Sequence, residues 1–198
     1  MEPSQAMHMH CNIMIKYNMA MQLSDEDEEK PLCLKDVSDL SDELYDWANN
    51  NTDLDRAIAA YEAAIRLMPD GHQCQTELLS QLGILLLQCF QHLGNITDID
   101  NAIFVLEGTL ILTPDGHTDK PAYLSNLGNV FFFHHFERSG DLADCDKAIS
   151  THEQAVNLTP DGHANKPAYL SNLSSSFLHC FGHSDDLADC DRAISALE

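Results

Sequence analysis

The chain repeats itself, and no other feature constrains its fold as much. Thr113–Leu127 reads Thr-Pro-Asp-Gly-His-Thr-Asp-Lys-Pro-Ala-Tyr-Leu-Ser-Asn-Leu, and it returns almost unchanged as Thr159–Leu173 at an offset of 46. Gly140–Ile149 returns as Asp185–Ile194 at an offset of 45. An earlier, more diverged copy keeps Met68-Pro-Asp-Gly-His72, Leu79-Ser-Gln-Leu-Gly83 and Thr97-Asp-Ile-Asp-Asn-Ala-Ile103. A still earlier one keeps Lys30-Pro31, Leu34 and Thr52-Asp-Leu-Asp-Arg-Ala-Ile58. Four tandem copies therefore occupy 30–198, at about 30–74, 75–119, 120–165 and an incomplete 166–198. Periods of this length mark repeat architectures, in which each unit buries its apolar face against the next.

Each copy reads as two helices. Leu124, Leu127 and Phe131 fall at helical spacing in one first helix, and Leu79, Leu82 and Leu86 in another. The second helix carries Ala148-Ile149, Glu153, Ala155-Val156 and Leu158, with Ala57-Ile58, Glu62, Ala64-Ile65 and Leu67 as counterparts. It opens near Asp or Thr, suited to the free amides of a helix start. It stops at Pro-Asp-Gly, because proline cannot continue it and glycine takes the left-handed turn. The next helix opens at Lys-Pro, with proline in the first turn.

The spacing Leu124, Leu127-Gly128, Phe131, Ala148, Ala155, Pro160 resembles the tetratricopeptide pattern, stretched from about 34 residues to 46. The copies are similar to the long tetratricopeptide-like repeats of kinesin light chains. They also resemble fungal arrays that often precede a caspase-like (CHAT) peptidase domain. The resemblance covers about residues 30–198 and implies an all-α, right-handed α-solenoid of helix pairs. Leucine stands where the pattern has tryptophan, and Ser38 and Ser174 stand where it has glycine. The implied function is a non-catalytic protein–protein interaction scaffold that holds a peptide or domain in its concave groove. The alternative it implies is the N-terminal regulatory region of a longer CHAT-type peptidase protein.

Residues 1–29 hold six of the seven methionines. Counted back from Lys30, Ile13 falls on the Ile149 position and Met19 on the Ala155 position, so a decayed half-repeat and disorder both remain open. At the other end Glu198 falls on the Glu153 position, midway through a second helix. The expectation is a truncated array that continues beyond Glu198, whose uncovered end can promote self-association.

Charge narrows the partners. Acidic side chains number 32 against 10 basic ones, for a net charge of −22. Such a chain repels nucleic-acid phosphates and anionic membranes. Residues 25–55 alone hold twelve acids and only Lys30 and Lys35, so a basic partner is expected at that first repeat. Repeated aspartates elsewhere are expected to cap helices. No apolar run reaches the length of a membrane span, and neither a signal nor a transit peptide is recognisable. The expected compartment is the cytoplasm. Seven cysteines without a Cys-x-x-Cys pair are expected to be reduced thiols, mostly buried.

No nucleophile elbow, phosphate loop, dinucleotide fingerprint or zinc-protease motif is present, so no enzyme, cofactor or metal is expected. The Pro-Asp-Gly-His turns pair Asp70 with His72, Asp115 with His117 and Asp161 with His163. Stacked helices stand about 10 Å apart, too far for one ion to bridge them, and the pairs read as helix stops. His134-His135 and His179-Cys180 with His183 offer zinc-type donors without standard spacing, and read as surface or groove histidines. In tetratricopeptide arrays the first helices line the concave face. The resemblance therefore places Ser80 and Gln81, then Ser125, Asn126, Asn129, Phe132 and Phe133, then Ser171, Asn172 and Ser175 in a peptide groove. An equally weighted alternative has Asn126 and Asn172 bridging adjacent helices.

Overall fold

The computed structural model describes residues 3–48, 51–69, 71–72, 74–137, 142–184 and 191–194. Among them there is no strand. The helices are α1 (Pro3–Gln22), α2 (Glu29–Ala48), α3 (Asn51–Leu67), α4 (Gln75–Leu93), α5 (Ile96–Leu112), α6 (Lys120–Glu137), α7 (Leu142–Leu158) and α8 (Lys166–Ser184). Two compact units divide them, Met1–Asn95 and Ile96–Glu198. In the first, α2 packs on α1 and α3, and α3 packs on α4. In the second, α6 packs on α5 and α7, α7 packs on α8, and α6 also touches α8.

The second helices approach their neighbours through alanine. Ala57, Ala102 and Ala148 occupy equivalent positions, and all three are buried. Their single methyl groups let two helices close without a void. Around them the core is built in patches. Ile13, Val37 and Ala60 form one in the first unit, with Met9 and Leu40 against it. Leu124, Ala155 and Tyr169 form one in the second unit, and Leu173, Phe177 and Ala193 another.

The turns carry a device used three times. Lys120 Nζ donates to Asp115 and reaches back to the Thr113 carbonyl at 3.4 Å. Lys166 Nζ donates to Asp161 Oδ1 at 2.6 Å and to the Thr159 carbonyl at 2.9 Å. Lys30 Nζ donates to Asp25 Oδ1 at 2.6 Å and to the Leu23 carbonyl at 3.1 Å. Each lysine thus ties the first turn of one helix to the last carbonyl region of the helix before it. Hydrogen bonding to the ammonium, and then its charge, holds Asp25, Asp115 and Asp161 below the usual carboxylate range. The fourth turn has Gln75 instead, whose Oε1 accepts from the Gly71 amide at 3.1 Å. Gly71, Gly116 and Gly162 all take positive φ, between 77° and 86°, which a Cβ would strain.

The histidine of each turn is absorbed in the same way. Nδ1 of His117 accepts from the Asp119 amide, and Nδ1 of His163 from the Asn165 amide, both at 3.2 Å. His72 does the same for the Cys74 amide. The Pro-Asp-Gly-His phrase is a connector that satisfies the free amides preceding the next helix. Its aspartates differ from the capping expectation. Asp115 and Asp161 accept from lysine, and Asp70 lies outside the described residues.

The N-terminal segment is helical, and the Asp25–Lys30 clamp closes the turn after it. Its register differs from the expectation. Ile13 is buried, but Met19 is 56% exposed and the next residue, Ala20, is fully buried. One residue is about 100° of helix rotation, so α1 turns a different stripe inward from that of α7. With Met19 in the Ala155 place, a long side chain would have to fit where only a methyl does.

Candidate functional site

The first helices α6 and α8 meet directly. At one end Asn172 Nδ2 donates to Ser125 Oγ at 3.0 Å. At the other the Phe132 ring lies 4.8 Å from the His179 ring, centroid to centroid, and 5.4 Å edge-on from Phe133. Between these contacts Asn126 and Asn129 are half-buried, and Ser171 and Ser175 are exposed on α8. Leu178 is 49% exposed, an apolar side chain next to the aromatic end.

Two of the expected groove residues lie deeper. Ser125 is 3% and Ser80 4% exposed, so their hydroxyls serve the interior. Asn172 bridges adjacent helices, as the alternative reading had it, through its bond to Ser125. Gln81 is half-buried on α4, in the other unit.

Histidines that the sequence read as surface or groove residues are partly interior. His134 is buried, with Nδ1 2.7 Å from Asp144 Oδ2 and Nε2 3.2 Å from Asp100 Oδ1. It joins α5, α6 and α7, and Lys147 extends the network to Asp144 Oδ1 at 3.3 Å. Burial pushes the Asp144 carboxyl up, but hydrogen bonds from His134 and Lys147 and their charges outweigh it and leave it below the usual range. Asp144 thus joins a buried network, where the sequence suggested a helix cap. Asp141 and Asp189 lie outside the described residues.

His152 was not singled out by the sequence. Fully buried on α7, its Nδ1 stands 2.9 Å from Ser176 Oγ on α8 and its Nε2 3.3 Å from the Ser125 carbonyl on α6. Burial drives its pKa down to about 4. Tyr61 and Leu106 hold the same place in earlier copies. The missed signal is the exchange of an apolar or aromatic core residue for histidine.

The cysteines correct the reading of reduced thiols. Cys145 on α7 and Cys180 on α8 form a disulfide across a separation of 35 residues, with Cα atoms 5.9 Å apart. Cys11, Cys33, Cys74 and Cys89 form no disulfide among the described residues, and Cys190 lies outside them. Paired with Cys145, Cys180 has no thiolate to offer a metal. Among the described residues no group of three or more His, Cys, Asp or Glu side chains is arranged to hold one. None of their helices is long and apolar enough to cross a membrane.

With this geometry in hand, comparison with solved structures decides the fold. A Podosopora anserina protein described as kinesin light chain-like, with nearly identical TPR-like repeats, superposes with a TM-score of 0.65 at 12% identity, covering 97% of this chain and 88% of that one. A variant of the same protein gives 0.66 at 11% identity. BtubC (BKLC) from P. vanneervenii gives 0.57 at 19% identity, covering 90% of this chain and 65% of that one. The fold is a TPR-like repeat solenoid. No family model and no curated protein matches the sequence. At these identities the likeness carries the fold and not the partners.

Proposed function

We propose that this chain is a non-catalytic protein–protein interaction scaffold that binds an extended peptide along its first helices. The observation that carries this reading is the strip shared by α6 and α8. Asn126, Asn129, Ser171 and Ser175 offer donors and acceptors of the kind that a peptide backbone needs. Phe132, Phe133 and Leu178 offer an apolar end for an anchor side chain. The strip is preformed, held by the Asn172–Ser125 bond and the Phe132–His179 contact, so a peptide bears most of the ordering cost. Asn172 and Ser125 shape the strip, and the other residues contact the guest.

Selection of displayed random peptides on the whole chain tests this. Enriched peptides should lose about tenfold in affinity to Asn129→Ala with Phe133→Ala, and the melting temperature should hold. Equal binding to the doubly substituted chain sinks the groove assignment.

A further inference from the structure

Residues 24–46 hold three serines that acids follow: Ser24, Ser38 and Ser41. The structure separates them. Ser38 and Ser41 are both 0% exposed on α2, and the Ser38 hydroxyl donates to the Leu34 carbonyl at 2.9 Å. Ser24 is exposed, in the turn between α1 and α2. Phosphoryl transfer needs a hydroxyl that approaches the γ-phosphorus in line with the leaving oxygen. A side chain sealed in the core cannot make that approach. Ser24 can.

The turn does not need Ser24 for its own geometry. Ser24 stands where the other three turns have Pro69, Pro114 and Pro160. Asp25 and Lys30 keep the clamp. Asp27 Oδ1 accepts from the Glu29 amide at 3.0 Å, as His117 accepts from that of Asp119. These bonds account for Asp25, Asp27 and Lys30. They do not account for Glu26 and Glu28, which are exposed and stand in the places of Gly116 and Thr118. Acids alone would be a solvated face. Here they directly follow a hydroxyl that replaces proline, so an acceptor and the charges by which it can be read occupy one exposed turn.

We propose that Ser24 is a phosphorylation site for an acid-directed serine/threonine kinase. Glu26 and Glu28 meet the basic substrate groove of such an enzyme. The Ser24 Oγ–H bond breaks and Oγ bonds to the γ-phosphorus of ATP, as the bond from that phosphorus to the β,γ-bridging oxygen breaks. ADP leaves, and the proton passes through the kinase's base to solvent. The phosphate brings about −1.5 to −2 of charge. It arrives beside Asp25, on which Lys30 and Arg66 both act, so positive charge is near to balance it. The basic partner expected at the first repeat is then the kinase groove itself.

The test incubates the whole chain with magnesium ATP and casein kinase 2 as the acid-directed probe, and in parallel with protein kinase A, which is directed by basic residues. Phosphopeptide mass spectrometry should place phosphate on Ser24 with the first enzyme, at least about tenfold faster than with the second. Ser38 and Ser41 should stay unmodified. Ser24→Pro copies the other three turns, and should keep the melting temperature while the phosphopeptide disappears. Glu26→Gln with Glu28→Gln should slow the modification about tenfold, again at unchanged melting temperature, which separates lost recognition from lost folding. No phosphate on Ser24 of the folded chain, equal rates with the two enzymes, or a rate indifferent to the two glutamates overturns the proposal. Phosphate entering Ser38 or Ser41 as fast as Ser24 also overturns it, because exposure would not be selecting the acceptor.

Discussion

A Cβ on Gly128 would stand 2.5 Å from Cδ2 and Nε2 of the His152 ring. The glycine of the Leu-Gly pair on α6 is therefore the space in which the α7 histidine sits. The ring cannot swing away cheaply, because Ser176 Oγ and the Ser125 carbonyl hold its two nitrogens. Gly128→Ala should destabilise the second unit by about 1–3 kcal/mol through overpacking. Combined with His152→Ala, the same methyl should cost much less, since the ring it strikes is gone. Urea unfolding of the four chains of this cycle measures the coupling, and simple additivity would place Gly128 outside the histidine's space.

The same histidine should make stability depend on pH. Its folded pKa of about 4 lies below the ordinary histidine value of 6.5, because burial disfavours the charged ring. The unfolded chain therefore binds a proton that the folded chain refuses. The contribution is fully present above about pH 6.5 and is lost as pH falls toward 4, by roughly 2–3 kcal/mol. Thermal melts across that window should show the decline. His152→Leu, the residue at this place in the preceding copy, should be less stable at pH 7 and have a flatter slope between pH 6.5 and 4. An unchanged slope would mean that the folded ring takes up its proton as readily as the unfolded one.

The helix pairs were legible in the sequence because tandem copies repeat every constraint together. Proline at 114 and 160 and left-handed glycine at 116 and 162 mark the same stop in two copies. The lysine clamp was also visible, as Asp25–Lys30, Asp115–Lys120 and Asp161–Lys166 at one constant spacing. The clamp is masked in the sequence because Lys-Pro reads first as a helix start. His152 and the Cys145–Cys180 bond were not legible. His152 occurs where one copy departs from the others, and a departure has no second copy to explain it; Cys145 and Cys180 do have counterparts, Cys190 and Cys89, but repetition does not say which two cysteines meet. The register of α1 failed for a related reason: counting back from Lys30 assumes that the buried stripe is preserved, and Met19 shows that it is not.

The lysines should matter more through their carbonyls than through their carboxylates. The carboxylates of Asp115 and Asp161 are fully solvated, and exposed ion pairs contribute little. The Thr113 and Thr159 carbonyls lie at helix ends and have fewer alternatives. Lys120→Met or Lys166→Met should each cost about 1 kcal/mol and speed amide exchange in residues 113–120 or 159–166. Asp115→Asn should change stability far less than Lys120→Met. Equal losses from the two would place the effect in the ion pair.

The disulfide joins α7 to α8 and closes a loop of 35 residues in sequence separation. A cross-link of that span restricts the unfolded chain, and its loss should cost about 3–4 kcal/mol. Four other described cysteines are outside the disulfide, so the bond must be identified before its effect is measured. Alkylation without reductant, followed by peptide mass spectrometry, should leave Cys145 and Cys180 unlabelled and joined. Reduction should then lower the melting temperature of the natural chain. It should leave a chain carrying both Cys145→Ser and Cys180→Ser where it was. If Cys145 and Cys180 alkylate as readily as exposed Cys11, the chain holds them as thiols and the stabilisation is absent.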